Sequence, residues 1–154
     1  MKQLTTKYFG QMEYDESSVV VFPDGLPGFE QERGFLPIRQ PDREPIVFLQ
    51  SLSTPAVCFV TLPVHAACRD YHLAIPAEDL DALGLPHSRQ PVSGEDVICL
   101  TIISVGEDGS VTANLLAPIV INLKNGRARQ PIQTETEYSH RHDLAAQTEA
   151  PLCS

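Results

Sequence analysis

Val111-Thr112-Ala113-Asn114-Leu115-Leu116-Ala117-Pro118-Ile119-Val120-Ile121-Asn122-Leu123 decides the fold class. Val111, Ala113, Leu115, Ala117, Ile119, Ile121 and Leu123 form one apolar set at period two. Thr112, Asn114, Leu116, Pro118, Val120 and Asn122 form the other. That alternation belongs to a β-strand, because successive side chains of a strand point to opposite faces. Pro118 has no N–H for a ladder, so it marks an edge or a bulge at which the faces reverse.

Working outward, Val97–Val105 is apolar on both faces as far as Ser104, which predicts a strand covered on both sides. Asp108-Gly109 joins it to 111–123, and Asn125-Gly126 joins that segment to a strand over Arg129–Thr134; both dipeptides suit hairpin turns. Shorter β-branched and alternating runs predict further strands over Leu4–Tyr8, Gln11–Tyr14, Val19–Phe22, Phe35–Ile38, Ile46–Leu52, Ala56–Leu62 and Tyr71–Ile75. Pro27-Gly28 suits a turn that needs positive φ at its glycine. One helix stands out, Ala77–Leu83, entered at Pro76, with Glu78 and Asp79 in its first turn and Gly84 and Pro86 at its end. The expected fold is mostly β: a small antiparallel barrel-like single domain with one or two short helices, over residues 1–146, followed by a flexible C-terminal tail at 147–154.

Acids outnumber bases 20 to 11, a formal net charge of −9, which repels nucleic acid and anionic membranes and favours basic proteins as partners. The charge is uneven. Between Asp70 and Asp108 eight acids face one base, Arg89, a local charge of −7. The apolar runs around Val57–Val60 and Leu115–Ile121 fall far short of the roughly 20 residues that span a bilayer, and no secretory leader precedes Tyr14. A cytoplasmic location with four reduced thiols is the expectation, Cys58 and Cys99 acting as small apolar residues.

Chemistry is hard to find. His140 and His142 flank Arg141, and His65, Cys68 and His72 form a loose group, but neither has the spacing of a metal site. No GxSxG elbow or glycine-rich phosphate loop occurs, and Glu95-Asp96 lies beside a turn, where carboxylates are solvated. Neither catalysis nor a cofactor nor a metal is expected. A binding or regulatory role remains, with a small-molecule-binding β-barrel or an uncharacterised enzyme as the alternative.

A series of words carries a resemblance: Thr6-Lys7-Tyr8-Phe9-Gly10, Phe22-Pro23-Asp24-Gly25-Leu26-Pro27-Gly28-Phe29-Glu30, Phe48-Leu49-Gln50-Ser51-Leu52, the run from Thr112 to Asn122, Arg129-Gln130 and Tyr138-Ser139-His140-Arg141-His142. In this order they resemble the FliW family of flagellar assembly factors from about Thr5 to Leu144. Val64–Arg69 is less aromatic and Asp42–Pro45 shorter than the family pattern. The resemblance implies a barrel-like fold, no enzymatic activity and two protein partners: flagellin and the RNA-binding translational repressor CsrA. It implies that newly made flagellin is held in the cytoplasm, and that the protein freed by flagellin export binds CsrA, coupling flagellin synthesis to export. The partner-binding candidates are Glu78, Asp79, Asp81, Glu95 and Asp96, expected at one end of the barrel, the loop residues Phe29 and Glu30, and Asn114 and Asn122. Each also has a plainer reading: Phe29 as a core plug at a tight corner, the asparagines as partners of local backbone groups, and the acids as solubilising charge.

Overall fold

The computed structural model describes residues 1–133 and 137–144. The element order is β1 (Lys2–Thr5), β2 (Gln11–Tyr14), β3 (Val20–Val21), β4 (Gly34–Arg39), β5 (Val47–Ser51), β6 (Cys58–Pro63), α1 (Val64–Ala67), α2 (Ala77–Leu83), β7 (Val97–Val105), β8 (Val111–Ala113), β9 (Ile119–Asn122), β10 (Ala128–Arg129) and β11 (His142–Asp143). β1 and β2 form a separate hairpin, and the main sheet runs β10-β9-β7-β6-β5-β4-β3 with every ladder antiparallel. Its two ends curl until they meet: Val21 N–H donates to Gly126 O at 2.9 Å, and Val21 bridges Arg127. The sheet is therefore barrel-like without being a closed barrel, since a lone bridge replaces the last ladder.

β7 holds the two sides of the fold together. Leu100 points inward with Phe22, Phe35, Leu49 and Ile119, all buried, in the core enclosed by the curled sheet. Val97 and Cys99 point the other way, against Leu80 and Leu83 of α2, Val64 of α1, and Tyr71. Both faces of β7 are covered, which explains its two-sided apolar sequence. The β1–β2 hairpin covers a third patch through Leu4, on Leu36, Ile38 and Phe48.

The helix over Ala77–Leu83 forms as expected. Gly84 adopts φ 77°, its N–H donates to Asp81 O, and Leu85 N–H donates to Leu80 O at 2.9 Å, a Schellman closure that a glycine makes without strain. The carbonyl of Leu83 still needs a donor, and Asn122 Nδ2 supplies one at 2.8 Å, seconded by Asn125 at 3.2 Å. Asn122 is buried, and its Oδ1 accepts Lys124 N–H at 2.9 Å.

Several expectations need correction. The single strand over 111–123 is two strands, β8 and β9, because Pro118 removes a ladder donor and the chain steps out around it. The backbone of that step bonds elsewhere: Leu115 N–H to Ser139 O at 2.9 Å, and Leu116 O to Gln133 N–H at 2.9 Å. Pro118 is buried in this crossover rather than set on an edge. Tyr71–Ile75 is extended but unpaired, since side chains satisfy its backbone: Tyr138 Oη accepts His72 N–H at 2.8 Å, and Gln90 brackets Ile75 at 2.7 and 3.1 Å. The strand over Arg129–Thr134 shrinks to Ala128–Arg129, cut off before Pro131; Thr134 lies outside the described residues, as do residues 147–154 and Cys153. The single turn α1 follows directly on β6 at Pro63.

Burial pushes the thiol of Cys58 up to about 11 and that of Cys99 up to about 12, which keeps both unreactive. Cys68 is buried beside Asp70, its Sγ 3.3 Å from Asp70 Oδ1.

Asn122→Ala leaves a buried helix-end carbonyl with a single, longer hydrogen bond and Lys124 N–H without its acceptor. We expect a loss of about 1–3 kcal/mol in urea denaturation, with m unchanged.

Candidate functional site

Most of the features that sequence singles out gather around α2. A cleft of about 550 Å³ lies between the Gly25–Glu30 loop and the N-terminal end of the helix. The loop exists because two glycines permit it. Gly25 sits at φ 70°, and a Cβ there would lie 2.5 Å from the backbone of Glu30. Gly28, at φ 83°, completes the turn in which Phe29 N–H donates to Leu26 O at 2.7 Å. Leu26 rather than Phe29 is the plug: Leu26 is 2% exposed, whereas Phe29 is 40% exposed and rests edge-on against Phe59 at 5.1 Å between ring centroids. Glu30 Oε1 accepts Gly28 N–H at 3.1 Å and stays in solvent. The base of the loop is anchored by Glu32, whose carboxylate accepts hydrogen bonds from Ser51, Ser53 and Thr54; those bonds hold it below the usual carboxylate range.

Arg129 joins this loop to the helix. Its Nη1 lies 2.9 Å from Asp24 and its Nε hydrogen-bonds Asp79, which is 6% exposed. Asp79 is therefore a structural anion rather than a free surface charge. Glu78, one residue earlier, is exposed and makes no ion pair among the described residues.

A second cleft, of about 460 Å³, lies beyond the C-terminal end of α2 and contains Glu95, Asp96 and Asn122. Asp96 accepts Arg89 Nη1 at 2.7 Å and Val92 N–H at 2.7 Å, and these bonds, Arg89's first, hold its carboxyl at about 2. Asp81 pairs with His87 at 2.7 Å. Glu95 is exposed and unpaired among the described residues. The acids expected at one end of the barrel thus flank α2 from both ends, with Glu78 and Asp79 at one and Glu95 and Asp96 at the other.

Asn114 lies apart from both clefts. Its Oδ1 accepts Ala117 N–H at 3.1 Å across the Pro118 step, and its carbonyl accepts the hydroxyl of Thr101 at 2.8 Å. Both asparagines therefore satisfy backbone groups, as the plainer reading has it. Asp24 and Arg129 were missed as cleft residues. Both lie inside quoted words, yet 105 positions separate them and no local pattern links them.

The geometry defines a class: a single antiparallel β domain with a short helix laid against its sheet and acidic surface clefts at the ends of that helix. Residues 3–144 match the family model described as FliW protein. The chain is 32% identical over 149 residues to the flagellar assembly factor FliW of Syntrophomonas wolfei, covering 96% of this chain and 92% of that one. It is 34% identical to the FliW of Heliobacterium modesticaldum, covering 96% and 95%. A crystal structure of the flagellar assembly factor FliW superposes with a TM-score of 0.82 at 33% identity, covering 96% of this chain and 99% of that one. The chain belongs to the FliW family of flagellar assembly factors.

Arg129→Met leaves the carboxylate of Asp79 buried without its cation. The expected loss is about 2–3 kcal/mol in urea denaturation, below the range for a fully buried pair because Arg129 is partly exposed. Glu78→Gln, by contrast, is expected to change stability by less than about 0.5 kcal/mol.

Proposed function

We propose that this flagellar assembly factor acts in the cytoplasm by binding proteins rather than by catalysis. It holds flagellin in a chaperone-like manner. Once flagellin is exported, it binds CsrA, relieves CsrA's repression of flagellin synthesis, and so couples that synthesis to export. Family membership supports the reading, and one observation in this chain carries it: Glu78 and Glu95 stand exposed at either end of α2, with no ion pair among the described residues, on a chain of net charge −9. An acidic surface set beside the basic face of an RNA-binding protein is attracted to it and repels phosphate. Phe22, Phe35, Leu49 and Leu100 fill the interior of the curled sheet, which speaks against the alternative of a small-molecule-binding barrel.

Competition is the first test. CsrA captured by the tagged protein should fall as flagellin is added and approach zero at saturation. Unchanged CsrA recovery at saturating flagellin would contradict the coupling, even with both proteins bound.

Charge is the second test. Exposed charges chiefly govern association rate and its salt dependence. Replacing Glu78 and Glu95 with Ser should slow CsrA association at low salt, by about tenfold for the pair, and flatten its dependence on salt. Flagellin binding should change less, because apolar surface is the proposed basis of that contact. Equal losses for both partners would move the CsrA surface elsewhere, with the Phe29–Glu30 loop next to test.

A further inference from the structure

The sheet is sealed where its ends meet and open in its middle. β6 and β7 are paired from Pro63↔Leu100 to Thr61↔Ile102 and no further, while β7 continues on its other side into a ladder with β8 at Ile103↔Ala113, Ser104↔Thr112 and Val105↔Val111. The direction of the backbone groups beyond the last pair follows from the hydrogen bonds that flank it. Asn114 N–H donates to Ile102 O at 3.0 Å and Gly106 N–H to Ser110 O at 2.8 Å, so Ile102, Ser104 and Gly106 turn toward β8. Alternate residues of an antiparallel strand turn to opposite sides, so Val105 turns away from β8, into the gap. On β6, Val57 O accepts Ser51 N–H at 2.9 Å from β5. Phe59 turns the same way as Val57, and Cys58 turns toward the gap. Val105 is 71% exposed and Val60 36% exposed on either side of it. Edge strands in native proteins are covered, charged or shortened; this edge is short but carries no charged side chain from Ile103 to Val105.

What borders the gap has a distinct chemistry. Ser104 and Thr112 face each other across β7 and β8 and share a dish of about 510 Å³ with Asn114, His140 and Arg141. The turn that carries the two basic residues is fixed: Leu115 N–H donates to Ser139 O at 2.9 Å, Arg141 N–H donates to Ser139 Oγ at 3.0 Å, and His142 pairs with Ala113. The guanidinium of Arg141 makes no ion pair among the described residues. The amide nitrogen of Asn114 is likewise a spare donor, since only its oxygen is engaged there. Asp108 stands at the other end of the dish, with Oδ1 taken up by the N–H and hydroxyl of Ser110 at 3.0 and 2.7 Å. Across the gap, Phe59 lies on the same face as Ser104, because Thr61 and Ile102 are partners and each residue is two steps further on. Phe29 packs over Phe59.

We propose that this gap and dish form a docking site for an extended, acidic segment of a partner protein. The segment adds as a strand beside Val105, its backbone meets the groups that β6 and β7 leave unmatched, and one carboxylate side chain reaches over Ser104 to Arg141. Strand addition draws affinity from main-chain hydrogen bonds and specificity from alternate side-chain pockets. Here the pockets are one dish with the guanidinium of Arg141 at one end and one aromatic rim. The site goes beyond the flagellin and CsrA reading and does not depend on either partner.

The test is amide NMR of the full chain, titrated with the blocked peptide Ac-Val-Glu-Val-Glu-Val-NH2, its Gln analogue, the acidic peptide N-methylated at alternate residues, and inorganic phosphate. The acidic peptide should give saturable shifts centred on Cys58–Val60, Ser104–Gly106, Thr112 and Arg141. Arg141→Gln, an exposed change that leaves the rest of the spectrum in place, should weaken the acidic peptide about fivefold or more and the Gln peptide less than about twofold. N-methylation should weaken binding about tenfold or more, since it removes strand donors and keeps the side chains. The proposal is overturned if shifts are absent or centred elsewhere, if Arg141→Gln changes nothing, or if the N-methylated peptide binds equally well. Phosphate that saturates the dish while the acidic peptide leaves the gap unshifted overturns it too.

Discussion

The fold rests on one strand changing partners. β7 pairs with β9 over Val97–Leu100 and with β8 over Ile103–Val105, and the switch occurs opposite the step around Pro118. A strand without that proline would run beside β7 for its whole length and carry the sheet with it. With it, the partner is split into β8 and β9, which pair with successive stretches of β7. The same step leaves Leu115 and Leu116 to be bonded by Ser139 and Gln133, so the C-terminal segment is drawn onto the sheet as a consequence. Tyr138, carried by that segment, stacks on Tyr71 at 4.3 Å, and Tyr71 Oη donates to Leu115 O at 2.6 Å. Loops that look independent in the sequence are thus tied to one interruption.

Around α2 the same economy separates structural charge from available charge. Asp79 is committed to Arg129 and Asp96 to Arg89 and the 92–96 turn, whereas Asp81, well exposed, shares only a hydrogen bond with His87. Asn122 closes the helix from the sheet side. Glu78 and Glu95 are exposed and make no ion pair among the described residues, and they carry the electrostatic argument for a basic protein partner. A concentration of acid in sequence therefore overstates the acid offered to a partner, because pairing with distant bases is invisible along the chain.

Much of the architecture was legible where local chemistry dictates it. The Asp108-Gly109 and Asn125-Gly126 turns, the two-sided burial of β7 and the helix from Ala77 to Gly84 follow from residues near each other in sequence. The failures occur where side chains substitute for a ladder. Tyr71–Ile75 has strand-like composition but is held by Gln90 and Tyr138, and Phe29 has the character of a core residue but yields that place to Leu26. The partners of Arg129 and the placement of Arg141 beside Ser104 depend on contacts between distant positions. No period or spacing encodes them.

β7 is sealed by β8 on one side and open on the other beyond Ile102, and backbone amide exchange reports that asymmetry. Ser104 and Val105 are neighbours with similar intrinsic exchange, but Ser104 N–H is directed at β8 and Val105 N–H at the gap. Native-state hydrogen exchange should find Ser104 protected and Val105 exchanging at close to the rate of an unstructured peptide. Protection of Val105 equal to that of Ser104 would mean that the gap is filled in solution and would contradict the account.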